Sequence, residues 1–177
     1  MERVRFLDET GAWLGMTRRY AWAPAGQRVT EGVPTHYGAS YPWTLVATIG
    51  LDGLQAPWFL KGALNGAAFV AYVTYELAPL LKPGDVVVLD NASAHKMREA
   101  REAVEARGAH WVFLPPYSPD MNPIELCWSK VKECLRTAKA RTSDELLVAV
   151  RQALRSISTT DILHCLQHCQ YPVNALP

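Results

Sequence analysis

Apolar residues recur along the chain with two different periods. Val4-Arg5-Phe6-Leu7, just ahead of Asp8, reads as a short strand over residues 3–7. Residues 43–51 form a second strand that ends in the turn Asp52-Gly53, and residues 55–60 return as a third, so the pair reads as a hairpin. The period then lengthens. Asn65 is placed to cap a helix that carries Phe69, Val73, Leu77 and Leu81 on one face and stops at Pro83-Gly84. Val86-Val87-Val88-Leu89 is apolar throughout, the pattern of a strand buried on both faces of a parallel or mixed sheet.

A polar helix follows over 96–107 and closes at Gly108, and a fifth strand is predicted over 110–114. Four prolines stiffen the next loop: Pro115, Pro116, Pro119 and Pro123. Pro123 suits the first position of a helix running to about Ala138. Thr142 and Glu145 have the spacing of a capping box for a helix to about Ile157, and a last short helix is predicted from Thr160 to about Cys169. The alternation of strands and helices gives an α/β plan, one mixed sheet in a single domain over 1–177.

Composition narrows the class only slightly. Apolar residues make up 49% and charged residues 20% of the 177, ordinary values for a globular chain. No stretch approaches the ~20 apolar residues of a membrane span, and the start has no long apolar leader, so a cytoplasmic protein is expected. Net charge is +1, which says nothing about nucleic acid by itself. Local charge says more. Arg18, Arg19 and Arg28 lie in a stretch around Trp22, and Lys130, Lys132, Arg136 and Lys139 recur along one predicted helix. These are candidate DNA contacts to the phosphates, with Trp22 a candidate for stacking on an unpaired base; solvated surface is the plain alternative. The remaining tryptophans read mostly as core. His164, Cys165, His168 and Cys169 imitate a metal cluster but lack a second knuckle, so core thiols beside surface imidazoles are expected.

Three acids fall where chemistry is usually built. Asp8 follows the first predicted strand, Asp90 follows the buried strand 86–89, and Glu125 opens the helix after the fifth strand. In open α/β sheets, sites form at the carboxyl ends of strands. If the first two strands are parallel neighbours, both aspartates emerge at one edge, and a turn of helix brings Glu125 over it. Converging carboxylates repel one another unless cations sit between them, and Mg²⁺ or Mn²⁺ takes such oxygen ligands. Glu9, next along a strand, points to the opposite face and stays out of this group. His95 either orients a phosphate or carboxylate or merely occupies a helix N-terminus. Asn122 is read as the cap of the Glu125 helix, and Asp120 as a turn residue.

These segments also resemble a known family. Phe6-Leu7-Asp8-Glu9-Thr10, Leu89-Asp90-Asn91-Ala92-Ser93-Ala94-His95-Lys96 and the run from Leu114 to Glu125, with Tyr117-Ser118-Pro119-Asp120 and Asn122-Pro123-Ile124-Glu125, are similar to the three signature blocks of IS630-group transposases, within the IS630/Tc1/mariner superfamily. Asp90 and Glu125 are separated by 34 residues, the spacing of that superfamily's DD34E triad. Arg18 to Gln27 resembles a further block between the first two strands. The resemblance implies an RNase H-like fold, a five-stranded mixed sheet flanked by helices. It implies Asp8, Asp90 and Glu125 as catalytic metal ligands, with Asn91, His95 and Asn122 around them. It further implies two Mg²⁺ or Mn²⁺ ions, cleavage of DNA at element ends, and strand transfer into TA targets.

One departure matters. Members of this group carry an N-terminal helix-turn-helix region, whereas Asp8 lies only seven residues from Met1. A truncated copy or a split gene with a separately encoded helix-turn-helix partner is therefore expected. So is weak DNA binding without end specificity, and a homodimer is a family expectation. An inactive remnant that only binds DNA or a partner is the alternative function; a plain nuclease and a zinc-binding adaptor are the others.

Overall fold

The computed structural model describes residues 1–18, 20–30, 32 and 43–173. Five strands form one sheet in the order β3-β2-β1-β4-β5. Strand β1 is Val4–Ala12, β2 is Trp43–Gly50, β3 is Gly53–Lys61, β4 is Val86–Leu89 and β5 is His110–Phe113. β2 runs antiparallel to both β1 and β3, while β4 is parallel to β1 and to β5. The mixed sheet expected from the apolar pattern is therefore present.

Side-chain alternation splits the sheet between two cores. Phe6, Leu45, Ala47, Ile49 and Val88 face one layer, built from α3 (Pro123–Ala138), α4 (Ser143–Arg155) and α5 (Thr159–His168). Leu7, Val46, Val87 and Leu89 face the other, built from α1 (Gly66–Tyr72) and α2 (Arg98–Glu105). Burial on both faces explains why β4 reads as an unbroken apolar run. Trp128 anchors the first layer and is fully buried, as is Phe69 in the second. Trp13, assigned by its residue type to the core, is instead 46% exposed, because it lies just past the end of β1.

Local signals set most helix ends. The Asn65 side chain accepts from Ala68 N at 2.9 Å and starts α1. Thr142 and Glu145 close the capping box of α4, and Ser158 and Asp161 close another on α5. The helix predicted as continuous to Leu81 is not uniform. After Tyr72 it widens to a π-helical turn over Val73–Leu77 and tightens to a 3-10 turn over Ala78–Leu80. Pro79 has no N–H to donate, so the regular ladder cannot continue through it.

β1 departs from expectation in a way that matters for the site. It does not stop before Asp8. Its pairing with β2 runs from Phe6↔Ile49 through Asp8↔Ala47 to Ala12↔Trp43, and this holds the backbone extended past the point where β4 ends. Asp8 is thus a mid-strand residue. At the opposite end of the sheet the buried Arg5 bonds Asp52 at 2.8 Å and Gln55 at 2.6 Å, and lies 3.6 Å from Asp85, tying the hairpin to the start of β4. No helix among the described residues is long and apolar enough to cross a membrane.

Candidate active site

The strand register fixes the two aspartates. β1 and β4 pair in parallel as Val4↔Val86, Arg5↔Val87 and Phe6↔Val88. Two residues beyond the last pair, Asp8 stands level with Asp90, which has just left the end of β4. Asp8 has the parity of Phe6 and so belongs to the face covered by α3, while Asp90, past the end of β4, lies at the same edge of the sheet. Glu125 sits in the first turn of α3. Three elements thus bring the three acids to one edge of the sheet.

Their environments differ. Asp8 is buried, with 6% exposure. Its carboxyl is pushed up to about 8, chiefly by burial and then by the charges of Glu125, Glu9 and Asp90, against a hydrogen bond from the Glu9 backbone. Asp90 is half exposed and accepts from Ala92 N at 2.9 Å. The hydrogen bond with His95 is the main cause that holds its carboxyl below the usual range, against partial burial and with help from Ala92 N–H and Lys96. Glu125 is exposed, and its carboxylate has no hydrogen-bond partner among the described residues.

Sequence reasoning missed one link. Glu9 does point to the face opposite Asp8, as strand geometry requires, and there it meets His95. The Glu9 Oε2 to His95 Nε2 distance is 2.9 Å, and the other ring nitrogen, Nδ1, lies 2.6 Å from Asp90 Oδ1. The imidazole is buried against Phe69, with ring centroids 4.7 Å apart. Burial alone pushes the His95 pKa down, but the two carboxylates outweigh it and raise it to about 9. His95 is therefore an imidazolium at neutral pH, donating from both nitrogens. The alternating face of Glu9 was legible in the sequence; its partner 86 residues away was not.

Asn122 overturns its expected role. It stands at the N-cap position of α3 but makes no side-chain cap bond. Its Nδ2 instead donates to Asp8 Oδ2 at 3.3 Å, and its Oδ1 is buried without a partner among the described residues. Asn91 donates to Leu114 O at 2.5 Å, clamping the chain after β4 to the chain after β5. Beside this edge opens a cleft of about 460 Å³, lined by Asp90, Asn91, Lys96, Tyr117, Asn122 and Glu125 together with the proline loop.

The donor set suits hard divalent cations. A buried carboxyl that ionises only with difficulty beside three other acids gains most from a neighbouring positive charge, and the orphaned Asn122 Oδ1 adds a neutral oxygen. Among the described residues no three His, Cys, Asp or Glu side chains are already gathered as a metal cage. The same holds at the other cysteine-rich stretch: Cys165 and Cys169 are half-buried, His164 and His168 are exposed, and they form no metal-holding group.

The basic candidates divide. Arg18 and Arg28 are exposed, and Trp22 is fully so at 101%. Arg19 lies outside the described residues. Lys130 is engaged: its Nζ donates to Asp161 at 2.7 Å and to Ser156 O at 2.9 Å, bracing α3 against the α4–α5 junction. Arg136 pairs with Glu133 at 3.4 Å. Lys132 is half-buried with no partner among the described residues, and Lys139 terminates α3 in the left-handed conformation at φ 52°.

A five-stranded mixed sheet between two helical layers, with Asp8 on the central strand and Asp90 just past the adjacent parallel one, defines the RNase H-like class. Residues 3–147 match the model of the DDE superfamily endonuclease family, and the chain belongs to that family. No curated protein sequence matches it. Solved structures share its fold. The Mos1 transposase paired-end complex with left transposon end superposes with a TM-score of 0.76 at 18% identity, covering 95% of this chain and 52% of that one. The Mos1 strand transfer complex gives 0.73 at 17%, covering 95% and 51%. The catalytic domain of Mos1 mariner transposase gives 0.66 at 14%, covering 96% and 79%. The chain spans about half the length of the Mos1 chains in the first two complexes, and at these identities the likeness is one of fold.

Proposed function

We propose that this chain is the catalytic domain of an IS630-group DNA transposase, cutting phosphodiester bonds at element ends and joining the freed 3′ end to target DNA. The observation that carries the reading is the placement of Asp8, Asp90 and Glu125, from three separate elements, at one edge of an RNase H-like sheet in a DDE-family chain. Mos1 paired-end complexes with Mg and with Mn support the choice of ion.

Asp8, Asp90 and Glu125 would hold two Mg²⁺ or Mn²⁺ ions. When bound, such a pair supplies Lewis-acid stabilisation of the phosphate and a nucleophile active at neutral pH. The chain's own residues do the positioning. The His95 imidazolium, gripped by Glu9, holds one oxygen of Asp90 and leaves the other for a ligand. Asn122 holds Asp8 from the α3 side. Asn91 fixes the distance between the two loops that flank the cleft. Substrate is DNA, with a TA target expected from the group; a helix-turn-helix partner and a homodimer complete the picture of recognition.

The test is Mn²⁺-dependent nicking of supercoiled plasmid by the wild-type chain and by Asp90→Asn. Loss in the variant is expected. Equal nicking by both refutes the assignment, and nicking without strand transfer in an end-joining assay reduces it to a plain nuclease.

A further inference from the structure

Beside the acids, the cleft has features that metal binding does not use. Tyr117 lines it and is wholly exposed at 102%, so nothing among the described residues packs on its ring. Its φ is 59°, the left-handed region that a bulky residue seldom adopts. Pro115, Pro116 and Pro119 flank it and hold the loop in that shape. An aromatic ring kept in water by a rigid, strained loop is a surface awaiting a planar partner. Tyr75, also exposed, lies on the π-helical turn and outside this cleft. Among the described residues that line the cleft, Lys96 is the one cation. It is exposed, has no ion-pair or hydrogen-bond partner among the described residues, and sits close enough to Asp90 to lower its pKa.

Resting on the nuclease reading above, we infer that this cleft is a subsite for one unpaired nucleotide of the DNA strand being cut, its base stacked on Tyr117 and its phosphate held by Lys96. A base inside a duplex offers no free face, so the nucleotide must be drawn out of the stack or lie in a single strand. Stacking accepts any base, so the subsite takes a nucleotide of any sequence. Lys96 and Tyr117 together hold the strand in the cleft that Asp90 and Glu125 also line.

The experiment is equilibrium binding of a fluorescein-labelled single-stranded oligonucleotide, and of an abasic strand of equal length, to the full chain in Ca²⁺. Tyr117→Ala should weaken binding of the base-bearing strand about tenfold, and Tyr117→Trp should keep it. Against the abasic strand, wild type and Tyr117→Ala should be equal. Lys96→Gln should weaken both strands alike. Full exposure of Tyr117 means that the alanine variant keeps the fold, which its thermal melt verifies. Unchanged affinity in Tyr117→Ala overturns the inference. So does a wild-type chain that does not distinguish base-bearing from abasic strand or binds neither, and so does a Tyr117→Ala chain that changes oligomeric state rather than DNA affinity. Asp90-dependent nicking together with an inert Tyr117 sinks this subsite alone; absence of Asp90-dependent nicking sinks the nuclease reading instead.

Discussion

On the proposed function, Asp8 should link metal binding to pH. Its carboxyl is raised from 3.8 to about 8, so the folded chain without metal keeps it protonated while the unfolded chain ionises it. Between those values the unfolded state binds fewer protons, and stability falls as pH rises. The slope for one such group is about 1.4 kcal/mol per pH unit, or roughly 3 to 6 °C in Tm for a chain of this size. His95 acts in a later window. Its pKa is raised from 6.5 to about 9, so its contribution is complete below 6.5 and is lost as pH rises through 9. Between about pH 5 and 6.5 Asp8 therefore acts without His95. As a metal ligand Asp8 would reverse the trend, because its carboxylate must lose the proton before it can ligate. Apparent Mg²⁺ affinity should fall about tenfold for each pH unit below 8. Thermal melts across this range, with and without saturating Mg²⁺, test both statements. Asp8→Asn should remove the slope between pH 5 and 6.5, raise the stability of the metal-free chain, and abolish the Mg²⁺ response. An equal slope in wild type and variant, or a Mg²⁺ response as strong at low pH as at pH 8, refutes the reasoning.

Two other perturbations separate positioning from structure. Glu9→Gln preserves size but removes the second carboxylate on His95, so metal-dependent nicking should fall about 10- to 100-fold while the fold survives; NMR of the imidazole should show its pKa moving toward 6.5, and an unmoved titration with full activity would count against the Glu9–His95–Asp90 chain. Lys130→Gln should cost less than about 1 kcal/mol, because its pair with Asp161 is partly exposed, and should leave the salt dependence of DNA binding unchanged; a shallower salt slope would return Lys130 to the DNA surface.

Much of this protein is written locally. The apolar run 86–89, the hairpin turn at Asp52-Gly53, the Asn65 cap and the Thr142–Glu145 box each depend on neighbours a few residues away, and each stands where the sequence places it. The positions of Asp90 just past β4 and of Glu125 in the first turn of α3 were legible for the same reason, as was the opposite facing of Glu9, whereas Asp8, expected to follow its strand, lies within it. What the sequence could not contain were the partners. β1 continues past Asp8 because β2 pairs with it, not because of its own residues. Asn122 looks like a cap by spacing, yet bonds Asp8, 114 residues distant. Lys130 looks like a free cation on a basic helix, yet braces Asp161, and Glu9 finds His95 across the sheet edge. Periodicity and caps follow from the backbone's short-range geometry. Hydrogen-bond partners and pKa values follow from burial and from charges that only the folded chain brings together.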